Sequence, residues 1–307
     1  LNYAHIHIVL NHFPTIGTVL GFGLFVAARV KKSEDLQKAS LVVLVVMALL
    51  GIPTYITGSA AQGIVRNDAG ISAAAIEVHQ NAAMLAFLFL GITGTFAWLA
   101  LWQFRRFSRP SSWNITTVFL LSLLTVGLMI RAGTLGGDIN HPEIRAEGQE
   151  LADASQISWR TVGQTFIFDN SWTWPAAETL HFIGLTLLFG VAIMVNLRAM
   201  GMVKGVPFMS LHRLLPMGVF GFLLCLLTGM MFFVGNAERY VAVPTFFVKI
   251  GLIVLAGINL IYFTMFDQAW EIREDQDAPA VTKLVAVGTL VFLVGALYFG
   301  RMIPFLE

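Results

Sequence analysis

Three of the seven histidines in this chain stand where imidazole chemistry can be sought. His12 precedes Arg29 by 17 residues, and His181 precedes Arg198 by 17. At 1.5 Å per helical residue that distance is ~25 Å. Both rings therefore sit at one depth, near the edge of an apolar segment that a basic residue closes at the far end. His79, early in another apolar segment, shares that depth. Ionisable side chains in such segments are costly and are functional candidates by default. Two imidazoles from different helices at one level, flanked by small residues, are what an axially ligated b-type haem requires. Gly17 and Gly21 follow His12, and Ala82, Ala83 and Ala86 follow His79. His12 and His79 are thus the expected axial ligands, with Arg131 holding the haem propionates. The plainer alternative has both rings hydrogen-bonded between helices.

A second set is less regular. His181 lacks a matching histidine, because Lys249 occupies the equivalent place. His181, Lys249 and Arg301 are expected to form a second haem or quinol pocket, and His141 could fold back as a further ligand. His5 and His7, two residues apart, point different ways on a helix and read as interfacial. His212, followed by Arg213, reads as a headgroup contact. Glu178 and His181 form one Glu-x-x-His pair, where a di-iron bundle needs two. The single cysteine, Cys225, excludes a disulfide framework, a cysteine zinc site and c-type haem attachment.

The elements that must position these residues follow from composition. Of 307 residues 57% are hydrophobic and 12% charged, with net charge +1 and mean hydropathy +0.76. Soluble chains carry about 25% charged residues, so an ordinary cytosolic enzyme, a disordered chain and a nucleic-acid binder are excluded. What remains is an all-α integral membrane protein whose partner is the lipid bilayer. A span needs ~20 apolar residues. Eight are predicted, near 6–30, 39–60, 74–102, 114–135, 176–198, 208–235, 244–266 and 283–303. Twelve of the nineteen Lys and Arg residues fall in the first, third, fifth and seventh connections. By the positive-inside bias both termini and the long fourth connection then face outward. In a bacterial cytoplasmic membrane that loop is periplasmic. Its Trp159, Phe166, Phe168, Trp172 and Trp174 suit a cap over the outer sites and a docking surface, a simple tether being the alternative.

Landmarks recur. His12-Phe13, Gly21 and Arg29 return as His181-Phe182, Gly190 and Arg198 at an offset of 169; Thr57-Gly58 returns as Thr228-Gly229, and Arg131 as Arg301. The series implies duplication into two parallel four-helix bundles, residues 1–136 and 176–307, joined by the outer loop at 137–175.

Short motifs carry two resemblances. His5-x-His7-x4-His12-Phe-Pro through Gly17, with the His79 span, resembles a bacterial four-helix membrane domain of unknown function that is suspected of binding haem. Trp174-Pro175 through Glu178-x-x-His181-Phe-x-Gly184, then Leu197-Arg198, Gly201, Leu214-Leu215-Pro216, Thr228-Gly229 and Phe247-x-Lys249, resembles a second such family. That family is similar to copper-resistance-type membrane proteins. Together they imply cytochrome-like four-helix bundles, a likeness of architecture that does not itself supply a reaction.

The function expected from all this is a b-type cytochrome subunit with one or two haems. It would carry electrons between the quinone pool and an outer-side redox protein or other subunits of a membrane oxidoreductase complex. No inner histidine pair is present to complete a path across the membrane. The competing readings are a copper-handling protein, with His12, His79, His181 and His141 as metal ligands, and a structural anchor.

Overall fold

The computed structural model describes residues 2–66, 71–140, 159–265, 272 and 276–305. All regular structure among the described residues is helical: α1 (Tyr3–Lys31), α2 (Glu34–Val65), α3 (Ala73–Phe107), α4 (Ser112–Asn140), α5 (Trp159–Asp169), α6 (Thr173–Ala199), α7 (Phe208–His212), α8 (Leu215–Gly235), α9 (Ala237–Ala242), α10 (Pro244–Met265) and α11 (Ala280–Met302), with a final 3-10 turn at Ile303–Phe305. Eight segments are long and apolar enough to cross a membrane, with α7 and α8 forming one of them. This is the eight-span membrane fold expected from composition. The long connection begins later than predicted, because α4 continues to Asn140, and α5 follows His141 and the rest of 141–158, which lie outside the described residues.

Side-chain placement is that of a protein solvated by hydrocarbon. Val9, Phe13, Leu20, Leu120, Phe182 and Leu284 point outward, while Thr18, Ser40, Thr93, Ser122, Thr125 and Thr289 are fully buried. Lipid is as apolar as leucine, so membrane helices associate through small residues and hydrogen bonds. Buried hydroxyls find partners on their own helix or on a neighbour: Thr18 donates to the Pro14 carbonyl at 2.5 Å, and Thr93 and Thr125 meet at 2.8 Å between α3 and α4.

Contacts group the chain into two units, one of residues 1–94, 119–176 and 230–242, the other of 95–118, 177–229 and 243–307. In the first, α1 and α2 are joined by a two-residue turn. Lys32 adopts left-handed backbone (φ 51°) to close α1, and the Ser33 hydroxyl accepts from Leu36 N–H to open α2, whose first turn carries Glu34 and Asp35. The acidic pair complements the positive end of the α2 dipole. Pro14 inside α1 frees the Leu10 carbonyl four residues earlier, and the Thr54 hydroxyl of α2 reaches it at 3.4 Å.

In the second unit, α6 and α8 cross at glycines. A Cβ on Gly184 would meet the Gly221 carbonyl oxygen at 2.9 Å, and one on Gly221 would meet that of Gly184 at 2.7 Å. At the far end of α6, fully buried Arg198 donates from Nε to the Val206 carbonyl at 2.8 Å and lies over the Phe208 ring. On the surface nearby, Asp277 bridges Lys204 at 2.9 Å and Lys283 at 3.5 Å. The hydrogen bond from Lys204, and then the charge of Lys283, hold the Asp277 carboxyl below its ordinary pKa.

Candidate functional site

In the first unit the imidazole that α1 turns inward is His7. Its Nδ1 lies 3.0 Å from the Thr54 carbonyl of α2. The ring rests on Gly58, where a Cβ would stand only 2.7 Å from His7 Cε1. On α3, His79 repeats the arrangement against α4: its Nδ1 lies 2.9 Å from the Ala132 carbonyl, and a Cβ on Gly136 would stand 3.0 Å from its Cε1. In both cases the carbonyl belongs to residue i and the glycine to residue i+4 of the neighbouring helix. One turn of helix therefore offers an acceptor and, directly beyond it, a bare patch of backbone for the ring.

This seating decides the tautomer. A carbonyl oxygen only accepts, so each Nδ1 carries the proton, and Nε2 of the neutral ring keeps its lone pair. An imidazole held through Nδ1–H with Nε2 presented is the usual state of a metal-ligating histidine. His7 and His79 also lie close enough for the charge of one to act on the other. Ala82, Ala86, Leu90, Met129 and Ala132 pack between α3 and α4 beside them.

His12 behaves differently. It is exposed on α1, and its Nδ1 bonds the Ile8 carbonyl of its own helix at 2.7 Å. Five residues are ~140° of helix rotation, so His12 and His7 leave α1 in nearly opposite directions. The histidine expected from α1 and the one seated beside α2 are thus different residues. Arg131 is exposed on α4, next in sequence to the Ala132 that holds His79.

The second unit contains one imidazole of this kind. His181 Nδ1 lies 2.7 Å from the Thr228 hydroxyl, whose own proton goes to the Leu224 carbonyl at 2.6 Å. The hydroxyl oxygen is therefore left to accept, and Nδ1 is again the protonated nitrogen. Gly229 faces the ring more loosely, with a Cβ position 4.0 Å from Cε1. The Cys225 thiol points at the His181 carbonyl at 3.7 Å. Lys249 on α10 packs against Gly300 of α11, its Nζ 3.1 Å from where a Cβ would lie, and it is within electrostatic range of His181 and Cys225. Arg301 is exposed, with its guanidinium 5.7 Å from the Phe305 ring. His141 falls outside the described residues. His212 is buried at the end of α7, where its carbonyl accepts from Trp102 Nε1 at 3.2 Å. Among the described residues no three His, Cys, Asp or Glu side chains converge as a metal site would require.

The first unit also has an open cleft of about 660 Å³ between the end of α2, the start of α3, α5 and the α8–α9 turn. Gln62, Arg66, Glu77, Gln80, Gln164 and Arg239 are its main polar lining. The Gln62 and Gln80 carboxamides bond to each other across it.

No family model, no curated protein and no solved structure matches this chain, so what stands at this point is a multi-pass, all-helical membrane domain in which His7, His79 and His181 are tied through Nδ1 to a neighbouring helix.

Proposed function

We propose that the chain is a membrane b-type cytochrome subunit, with His7 and His79 as axial ligands of one haem in the α1–α4 bundle. The observation that carries this reading is the duplicated seating: two imidazoles, on α1 and α3, each tied through Nδ1 to a carbonyl and backed by a glycine four residues on. The donor set fits the group, since a low-spin haem takes one neutral imidazole nitrogen on each face. Held in this way, haem supplies one-electron chemistry. Thr54 and Ala132 fix the ring orientation and raise the basicity of Nε2 through their hydrogen bonds. Exposed Arg131 would meet a propionate at the aqueous edge.

His181 and Lys249 form the second pocket, for a quinol headgroup. The imidazole there donates through Nδ1 to Thr228 and leaves Nε2 to accept from the headgroup, and the Lys249 amino group is a further donor. The Lys and Arg bias supports an orientation with both termini and the fourth connection outside, periplasmic in a bacterial cytoplasmic membrane. Electrons would then pass between quinol and an outer-side redox protein or partner subunit.

The test is a reduced-minus-oxidised absorption spectrum of the purified chain from a haem-replete host, with haem and copper measured per chain. Low-spin b-type bands at about one haem per chain are expected, that stoichiometry following from a single bis-histidine pair. Stoichiometric copper without haem, or neither, would overturn the reading.

A further inference from the structure

The aromatic segment before α6 takes no part in the haem or quinol reading. Its helix, α5, has 11 residues, ~16 Å at 1.5 Å per residue, whereas a span needs ~20 residues. Gly163 and Ile167, one turn apart, both face the end of α8. A Cβ on Gly163 would stand 3.0 Å from Val234, and one on Gly235 would stand 3.6 Å from Ile167. The contact thus advances four residues along α5, ~6 Å, but one residue along α8, ~1.5 Å. Helices lying side by side would advance equally on both, so α5 crosses the end of α8 steeply. Gly235 is also where the membrane-crossing stretch Phe208–Gly235 ends, and α6 opens its own at Thr173. α5 therefore lies at the level of the membrane surface and across the direction of the spans.

The other faces of α5 sort by chemistry. Exposed Thr165 and Asp169 each follow an inward residue by two positions, about 200° round the helix, and form a polar back. Phe166 and Phe168 flank buried Ile167 at about 100° on either side. Phe166, Phe168 and Trp172 are 47%, 54% and 60% exposed. Their rings are nonetheless ordered. Phe166 meets Trp172 edge to face at 5.9 Å, Phe168 stacks on Trp174 at 6.1 Å, and Trp174 continues to Phe232 of α8 at 5.0 Å. The exposed aromatic surface is in this way continuous with the ends of two spans, where aromatic belts sit at headgroup level. A helix with Trp and Phe beside a polar face lies in the plane of that interface.

We infer that α5 and the turn after it form a lipid anchor in the headgroup layer of one leaflet, with phospholipid as the partner of Phe166, Phe168 and Trp172. The inward face rests on α8, the back formed by Thr165 and Asp169 meets water, and the aromatic flanks enter the acyl boundary. Neither histidine site nor the orientation of the chain enters this assignment.

Nitroxide labels placed singly through Phe166→Cys, Phe168→Cys, Trp172→Cys, Thr165→Cys and Asp169→Cys in the Cys225→Ser chain, in phosphatidylcholine vesicles, test it. The readout is the collision rate with oxygen, which concentrates in lipid, divided by that with a water-soluble nickel chelate. A ratio severalfold higher at 166, 168 and 172 than at 165 and 169 is expected. Equal, water-like ratios at every position, as on a surface kept for a soluble protein partner, would overturn the anchor. So would labels at 166, 168 and 172 shielded from both reagents. Should the Cys225→Ser chain fail to fold, brominated phosphatidylcholine decides with native cysteine in place. The fluorescence lost in Trp172→Phe is then expected to be a component that the bromines quench, and an unquenched component would refute the anchor.

Discussion

The two histidine sites use one idea in two materials. In the first unit both rings are held by main chain, through the Thr54 and Ala132 carbonyls, and lie directly on Gly58 and Gly136. In the second, His181 is held by a side chain, the Thr228 hydroxyl, with more room above Gly229, and the partner position carries Lys249 against Gly300. A backbone carbonyl cannot rotate away, whereas a threonine hydroxyl can turn and exchange its proton. Main-chain seating suits a ring that must keep one orientation and one tautomer. Side-chain seating suits a ring that gains and loses a proton, as at a quinol. The amino group of Lys249 in place of the second imidazole adds N–H donors for such a headgroup.

The largest expected effect breaks that comparison at its ligands. His79→Ala removes all b-type absorption, whereas His181→Ala retains at least one haem per chain; equal loss in both would erase the distinction between the sites. Next come the glycines. Gly58→Ala and Gly136→Ala each place a methyl 2.7–3.0 Å from an imidazole carbon, and overpacking of this kind costs about 1–3 kcal/mol. Gly229→Ala meets His181 at an ordinary 4.0 Å and should change stability by less than ~0.5 kcal/mol. Thermal unfolding of the three variants in one detergent measures the contrast, and equal melting temperatures would contradict it.

How much of this was legible in the sequence is clearest along α1. Its buried residues, Pro14, Thr18, Gly21, Phe25 and Ala28, are spaced by four and three. Continued backward by sevens through 28, 21 and 14, the stripe arrives at His7. His12 falls among exposed Ile8, Val9, Phe13 and Ile16. Depth alone favoured His12, because it matches His181 when both are counted from the arginine that ends each helix. Face is what separates His7 from His12, and in a span apolar all round face is marked by small residues and not by hydrophobicity. On α3, His79 likewise lies in line with buried Ala75, Ala82 and Ala86. The eight spans were legible because hydrocarbon thickness sets their length. No local signal announced that the carbonyls of Thr54 and Ala132 would meet rings 47 and 53 residues away, since an acceptor carbonyl is common to every residue. The cleft at the end of α2 was equally hidden, as its walls come from four separate stretches.

A smaller effect sharpens the account of His181. Thr228→Val removes the hydroxyl that accepts from the ring and should cost about 1 kcal/mol, with haem at His7 and His79 untouched. Loss of the b-type bands in this variant would tie the two sites together. The smallest effect lies outside the membrane. Asp277 has a depressed folded-state pKa, so its ionised form contributes stability that is fully present above the ordinary carboxylate value near 4 and is lost as pH falls through the depressed one. Asp277→Asn should lower the melting temperature slightly at neutral pH and match the parent well below about pH 4, so that the acid limb of its profile is flatter. A variant profile matching that of the parent would show the Lys204–Asp277–Lys283 bridge to be inert.

The central claim, that α1 supplies its ligand from the buried stripe, is tested most directly by comparing difference spectra of His7→Ala and His12→Ala chains purified side by side. The account predicts that the b-type bands vanish with His7 and persist with His12. Bands that survive the loss of His7 and disappear with His12 would contradict it.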